Sequence, residues 1–346
     1  MSGVQLREVA AGEGGQRLDR WIRRHFPQLT QGRIEKMCRK GEMRVDGGRV
    51  KSSTRVEEGQ TVRIPPVPAA ASAAAASPQL TDAEAERVQR MVIYRDDHLI
   101  ALNKPPGLAS QGGSKQTTHV DGLAEALRFG ADEKPRLVHR LDKDTSGVLL
   151  LARSREAAAK LGEVFRSRET VKIYWAAVAG VPQPAMGRIT YGLVKDSVGR
   201  ARDGDEMMRC VHPDEVSKTP GAKSAETHYT VLATLGRRVS WCAMRPVTGR
   251  THQLRAHIAA LGHPIIGDGK YGKRGQENLG DGWGSGLGGA VSQKLHLHAR
   301  SLMMEHPFTG AKLTLTAPLP EHMAETWAFL DWVPGDAPAD PFADPV

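Results

Sequence analysis

Residues 137–152 read LVHRLDKDTSGVLLLA. A short apolar pair is followed by a polar loop, and the loop by the apolar run Val148–Leu151. Short apolar runs bounded by turn-forming residues read as strands. The stretch is therefore two strands bracketing a loop, with Asp142 inside the loop. Loops held between rigid elements are frequent settings for chemistry.

Working outward, the same grammar continues. MVIYRDDHLIALNKPPGL (91–108) reads as strand, Asp96-Asp97 turn, strand and a Pro-Pro-Gly stop. SREAAAKLGEVFRSR (154–168) reads as a helix with Ser154 as N-cap, because a serine oxygen can accept an otherwise orphaned N–H of the first turn. VKIYWAAVAG (171–180) is a strand, RTHQLRAHIAALG (250–262) a helix ended by Gly262, and KLHLHARSLMMEH (294–306) and KLTLTAPLP (312–320) are strands. Strands and helices mix without a strict β-α-β rhythm, which predicts an α+β fold.

The N-terminal part is a separate unit. QRLDRWIRRHFP (16–27) is a short amphipathic helix with Leu18, Trp21, Ile22 and Phe26 on one side, stopped by Pro27. QGRIEKMCRKG (31–41) is a second helix. EMRVDGGRVKSS (42–53) gives two short strands around Asp46-Gly47, and VEEGQTVRIP (56–65) another turn and strand. On the second helix Arg33, Lys36, Arg39 and Lys40 are three or four apart and share a face. The sequence divides into a unit at 1–66, a Pro/Ala/Ser linker at 67–85, a large domain at 86–335 and a loose tail at 336–346. The Gly-dense stretch 272–289 contains GSGLGG, but no strand precedes it and no helix clearly follows, so it reads as a flexible loop, not a phosphate cradle.

Composition narrows the function. The chain has 346 residues, with 48 Lys+Arg against 39 Asp+Glu. Residues 1–65 hold 14 Lys/Arg and 8 Asp/Glu, so +6 of the total +9 lies there. Concentrated positive charge favours a polyanion through counterion release. Cys38, Cys210 and Cys242 are odd in number and scattered, with no C-x-x-C, which argues against a disulfide framework or a thiolate zinc site. No apolar run approaches the roughly 20 residues of a membrane span. The first residues, MSGVQLREVAAGEGG, lack the apolar centre of a secretory signal, so the expected location is cytoplasmic.

The loop around Asp142 admits three readings. Asp142, Asp144, Ser146 and Gly147 imitate the start of a calcium loop, but the twelfth position, which needs a carboxylate, is Arg153. A purely structural Asp/Thr/Ser turn is the default for such a loop. The third reading is catalytic. Here LVHRLDKDTSGVLLLA resembles the H-R-L-D-x-x-T-S-G signature of the RluA-type pseudouridine synthases, and Asp142 falls on that family's essential aspartate. FRSRETVKIYWAAVAG (165–180) resembles the family's K-x-Y strand and puts Tyr174 on its tyrosine. RPVTGRTHQLRAHIAALGHPIIGD (245–268) resembles its third block, with Arg255 at the basic position and Leu254 at the adjacent apolar one. LNKPPGL and LHARSLMMEHPFTG are similar to further family segments, so the resemblance spans about residues 90–320. Gln111 stands where many members carry histidine, and QGGS is most similar to the subgroup acting on large-subunit (23S) ribosomal RNA. The N-terminal unit, through RLDRWI, GRIEKMCRKGEMRVDGGRVK and VEEGQTVRI, resembles the small RNA-binding domain named after ribosomal small-subunit protein S-four. It departs from that domain at Thr30-Gln31-Gly32, where a Ser-Arg pair is frequent.

The resemblance implies a mixed, largely antiparallel sheet with a central cleft, and isomerisation of uridine to pseudouridine. Asp142 would act on the ribose, by attack on its carbon or by removal of a proton. Arg255 would keep Asp142 charged, and Tyr174 would stack on the base. Arg140 would fill the gap left by the extruded nucleotide, and Leu254 and His139 would touch substrate. Arg33, Lys36, Arg39 and Lys40 would meet RNA backbone. The reaction changes neither oxidation state nor atom count, so neither metal nor organic cofactor is expected. His252, His257, His263, His296 and His298 read as structural or RNA-contacting, since no metal-ligand spacing stands out. A monomer without obligate protein partner or membrane association is expected. The alternatives are the same reaction on transfer RNA, and a non-enzymatic RNA-binding or ribosome-assembly factor. A metal-dependent nuclease would need clustered carboxylates, and only Asp142 and Asp144 lie close.

Overall fold

The computed structural model describes residues 3–67, 80–112, 118–167, 169–196, 207–272 and 291–343. The chain divides into two units, Met1–Gln79 and Leu80–Val346.

In the first unit, helices α1 (Leu18–His25) and α2 (Gln31–Lys40) pack on a four-stranded antiparallel sheet. The sheet is built from β1 (Gln5–Glu8), β2 (Arg44–Val45), β3 (Gly48–Arg49) and β4 (Thr61–Ile64), in the order β1-β4-β2-β3. The core is formed by Leu18, Trp21 and Ile22 of α1, Ile34 and Met37 of α2, and Val62 and Ile64 of β4. These are the apolar positions that the helical and alternating patterns mark. β1 carries no such mark. Its four residues are mostly exposed and are specified by pairing with β4, Gln5 opposite Ile64 through Glu8 opposite Thr61.

The second unit opens with α3 (Asp82–Gln89). Its first four residues fall inside the stretch 67–85 read as linker, so that boundary is corrected. The Thr81 hydroxyl accepts from the Glu84 N–H while the Glu84 carboxylate accepts from the Thr81 N–H, a reciprocal cap. Val88, fully buried, anchors the helix. At the other end Val67 is buried in the core of the first unit, and residues 68–79 lie outside the described residues.

The main sheet follows the order β10-β13-β14-β9-β15-β8-β6-β5, with β16 on β15 and β7 on β8. Its strands are β5 (Val92–Arg95), β6 (Leu99–Lys104), β7 (Arg136–Leu137), β8 (Ser146–Ala152), β9 (Val171–Ala179), β10 (Met186–Ile189), β13 (Thr227–Leu235), β14 (Val239–Pro246), β15 (Leu297–Glu305) and β16 (Lys312–Thr316). β11 (Gly192–Lys195) and β12 (Met208–Val211) make a separate antiparallel pair. Two antiparallel halves meet where β15 runs parallel to β8, His298 opposite Ser146 and Ala299 opposite Gly147. Gly147 is required there: its φ is 109°, and a Cβ would overlap the Ala299 backbone. The mixed sheet with helices gives the α+β class read from the sequence.

Both sheet faces are covered, which follows from the side-chain period of two. On β9 and β14, Ile173, Trp175, Ala177, Val239, Trp241 and Ala243 face Met323 and Trp327 of α7 (Glu321–Phe329). The opposite residues, Ala176, Val178, Cys242 and Met244, face Leu254 and Ile258 of α6 (Gln253–Ala260). Leu261 is exposed beyond the helix end. In the other half, α5 (Arg155–Val164) sets Ala157 and Leu161 on Val148 and Leu150, and Ser154 caps it by accepting from the Ala157 N–H at 3.0 Å. α3 and α4 (Val120–Leu123) cover the face of Leu149 and Leu151. Each fully buried Leu, Ile or Val contributes roughly 1.5–3 kcal/mol. The tail reading 336–346 is also corrected: Ala337 and Phe342 pack against the tryptophan cluster, because an apolar ring next to such a surface buries itself. Residues 344–346 and the Gly-rich 273–290 lie outside the described residues.

Candidate active site

Asp142 sits in the loop between β7 and β8. Its side chain is 29% exposed at the floor of a cleft of about 840 Å³, within the range of small-ligand sites. The cleft wall includes Arg140, Lys172, Tyr174, His252, Leu254 and Arg255.

The loop backbone is clamped on both sides of Asp142. The Ser110 hydroxyl accepts from the Leu141 N–H at 3.0 Å and donates to the Leu141 carbonyl at 2.8 Å. The fully buried Lys104 ammonium donates to the carbonyls of Lys143 (3.0 Å), Leu108 (2.8 Å) and Pro105 (2.9 Å). Burial pushes the Lys104 pKa down to about 7, against the pull of Asp144 and Asp142. Both clamps come from the 102–110 segment, whose similarity to the family was legible but whose role was not.

Arg255 projects from α6 with its Nη1 3.6 Å from the Asp142 carboxylate. Its principal partner is another carboxylate. Nε donates to one oxygen of Asp268 at 2.8 Å and Nη2 to the other at 2.7 Å, a bidentate pair with both side chains withdrawn from solvent. Burial opposes the Arg255 charge, but the Asp268 hydrogen bonds and the charges of Asp268 and Asp142 outweigh it and push its pKa up. Burial likewise opposes the Asp268 charge, and Arg255 with the N–H groups of Tyr271 and Lys270 overcomes it, holding that carboxyl below the usual range. Asp268 is placed by Gly267, whose φ is 74° and whose Cβ, if present, would overlap the Lys294 carbonyl.

His252 precedes α6 in a left-handed conformation (φ 52°), with Nε2 3.8 Å from Asp142. The Tyr271 hydroxyl accepts from the Met208 N–H at 2.9 Å, so its own hydrogen is available to His252 Nδ1 at 3.1 Å. Burial pushes the His252 pKa down.

Tyr174 and Lys172 share the β9 face opposite Ile173 and Trp175, as the alternation requires, and both line the cleft. Burial, then the Asp142 charge, push the Tyr174 pKa up, so its hydroxyl stays a donor at neutral pH. Arg140 is exposed on the cleft and makes no hydrogen bond or ion pair with a described residue. Leu254 is buried between α6 and the sheet with one side on the cleft. His139 touches the cleft, but its Nε2 accepts from the Leu150 N–H at 3.1 Å and its ring stacks on Phe165 at 4.9 Å. Burial pushes its pKa down to about 3. These contacts are those of a packed histidine.

The other histidines singled out from the sequence bond neighbouring groups of the fold. His257 bonds Thr227 and the Tyr191 carbonyl, His263 the Ala179 carbonyl, His296 Thr326 and His298 Ser146. Among the described residues no group of three His, Cys, Asp or Glu is arranged to hold a metal ion.

In the first unit, Arg33, Lys36, Arg39 and Lys40 are all exposed on α2, and Lys40 lies 3.6 Å from Glu42. Gln31, at the departure from the Ser-Arg pattern, ties to Asp19 at 3.0 Å. Arg20, Arg23 and Arg24 of α1, not singled out from the sequence, surround a hollow of about 340 Å³ beside Pro27.

A family described as RNA pseudouridylate synthase matches residues 98–260, and the S4 domain matches residues 16–62. Among curated proteins, the chain is 37% identical over 321 residues to the ribosomal large subunit pseudouridine synthase C of Escherichia coli (strain K12), covering 92% of this chain and 94% of that one. It is 35% identical over 309 residues to the protein of that name from Rickettsia typhi, covering 88% and 94%. Among solved structures, human RNA pseudouridylate synthase domain containing 4 aligns with a TM-score of 0.56 and 31% identity, over 71% of this chain and 95% of that one.

Proposed function

The chain belongs to the RNA pseudouridylate synthase family, and from that premise we propose that it isomerises uridines in large-subunit ribosomal RNA with Asp142 as the catalytic carboxylate. The observation that carries this reading is the carboxylate of Asp142 on the cleft floor, facing the Arg255 guanidinium at 3.6 Å and open to a ligand on its other side.

The reaction breaks the bond from ribose to uracil nitrogen 1 and joins carbon 5 of the base to the same ribose carbon. A carboxylate serves it by attacking that carbon or by removing a ribose proton, and both routes need Asp142 ionised. Arg255 supplies the counter-charge beside that carboxylate, at 3.6 Å. Tyr174 offers a ring for the base and a hydroxyl that remains a donor. Arg140, one residue from the buried Leu141 and without a partner among the described residues, fills the space of an extruded nucleotide, which offsets part of the few kcal/mol that unstacking costs. Leu254 supplies an apolar contact. Ribosomal RNA is favoured because the similar synthases carry that substrate class in their names and the first unit adds a basic helix face for a second foothold. A cytoplasmic monomer suits this role; no helix among the described residues is long and apolar enough to cross a membrane.

The test is a pseudouridine map of total RNA from cells with the intact gene, without it, and with Asp142→Ala. The expected result is loss of large-subunit ribosomal sites in the last two alike. Sites lost only from transfer RNA would replace the substrate, and full restoration by Asp142→Ala would remove Asp142 from the mechanism.

A further inference from the structure

Arg255 has three guanidinium nitrogens, and two of them are committed to Asp268, leaving Nη1 for Asp142. The cation is thus shared between two carboxylates in unequal geometry: bidentate at 2.7–2.8 Å to Asp268 and single, at 3.6 Å, to Asp142. Asp268 cannot move toward the cleft. It is 1% exposed, its Oδ1 also accepts from the Lys270 and Tyr271 N–H groups, and Gly267 seats it where no larger residue fits. Asp142, by contrast, is partly solvated.

Planar guanidinium prefers a bidentate carboxylate, with shorter and stronger bonds than a single contact. Without Asp268, that preferred mate would be Asp142 itself. A carboxylate locked in a two-point pair is a weaker base and nucleophile, because its charge is stabilised before any substrate arrives. We infer that Asp268 is a positioning residue that engages Arg255 and so prevents it from quenching Asp142, leaving the catalytic carboxylate oriented but reactive. The inference rests on the assignment of Asp142 made above.

The other groups facing Asp142 do not substitute for Asp268. Lys104 lies below the loop with its ammonium on three carbonyls. Burial pushes the Tyr174 and Tyr271 pKa values up, so both hydroxyls stay neutral at pH 7, and burial disfavours the charged form of His252. Within this set Asp268 is the anion that offsets Arg255.

The test compares Asp268→Asn and Asp268→Glu in single-turnover assays from pH 4 to 8, on a transcribed RNA fragment that the wild type modifies. Asp268→Asn removes the charge, so Arg255 turns to Asp142. The acid limb of the pH profile then moves down by about one unit or more, and the rate at pH 7 falls about tenfold with RNA affinity unchanged. Asp268→Glu keeps the charge, and its acid limb stays in place even if displacement slows the rate. A purely structural Asp268 would lower the active fraction in both variants without moving the limb, and that result overturns the inference. Should Asp268→Asn not fold, Asp268→Ser removes the same charge with a smaller side chain and leaves Arg255 in place; the same downward shift of the acid limb is expected, and an unmoved limb overturns the inference. Asp142→Ala is run in parallel. If it remains active, the assignment of Asp142 fails; if it is inert while the limb of Asp268→Asn stays put, the role of Asp268 alone fails.

Discussion

The buried ammonium of Lys104 donates to the carbonyl of Lys143 at 3.0 Å, one residue past Asp142, and so ties the end of β6 to the loop that carries the proposed catalytic carboxylate. Two further carbonyls share that ammonium. Replacing it leaves three acceptors without their donor.

Lys104→Met is therefore expected to lower stability by about 1–3 kcal/mol and to reduce kcat more than KM, since the loop loses its anchor while the cleft walls remain. Denaturant melts with single-turnover kinetics check both. The folded pKa of Lys104 lies near 7, below its ordinary value of 10.5, so between these limits the unfolded chain binds more protons. The stability advantage of wild type over Lys104→Met should then grow as pH rises from 7 toward 10.

Acid should unfold the protein earlier than its carboxylates alone require. Burial holds His139 and His298 at about 3 and His257 and His296 at about 4, against 6.5 when unfolded. These are depressed folded values. Their contribution is fully present above pH 6.5 and lost progressively as pH falls toward 4. Thermal melts across pH 4–7 should show this slope, and His298→Gln should flatten it.

Tyr174 packs against both apolar clusters on its side of the sheet. Tyr174→Phe keeps that packing and removes only the hydroxyl, so it should leave the melting temperature nearly unchanged while slowing turnover. Tyr174→Ala should cost about 3–5 kcal/mol of stability as well. Equal turnover in wild type and Tyr174→Phe would show that the ring alone is used.

Reversing charge on α2 with Arg33→Glu, Lys36→Glu and Lys40→Glu should weaken RNA binding and reduce the slope of log K against log salt by roughly 1 per phosphate contact removed. An unchanged slope would place the RNA contacts elsewhere, with Arg20, Arg23 and Arg24 of α1 the next to test.

Much of the fold was legible because its signals are local. Leu18, Trp21 and Ile22 recur at helical spacing, Ile173 and Trp175 at strand spacing, and Ser154 and Gly262 mark helix ends. What escaped had no local signal. β1 is four mostly exposed residues that exist by pairing with β4, more than 50 positions away. α3 was hidden by the Pro/Ala/Ser composition before it, although Thr81 and Glu84 supplied a capping pattern.

At the site the division is similar. The sequence alone determined that Asp142 lies in a loop between strands and that Tyr174 and Lys172 share a face. Through resemblance it also identified Arg255. Only the tertiary structure decided that Arg255 is bidentate to Asp268, that Ser110 and Lys104 clamp the loop from 31 and 39 residues away, and that His139 is packed. The physical reason is range. Periodicity and caps report what a residue does with neighbours a turn or a pleat away, whereas which carboxylate a buried guanidinium meets depends on where the sheet brings distant segments together.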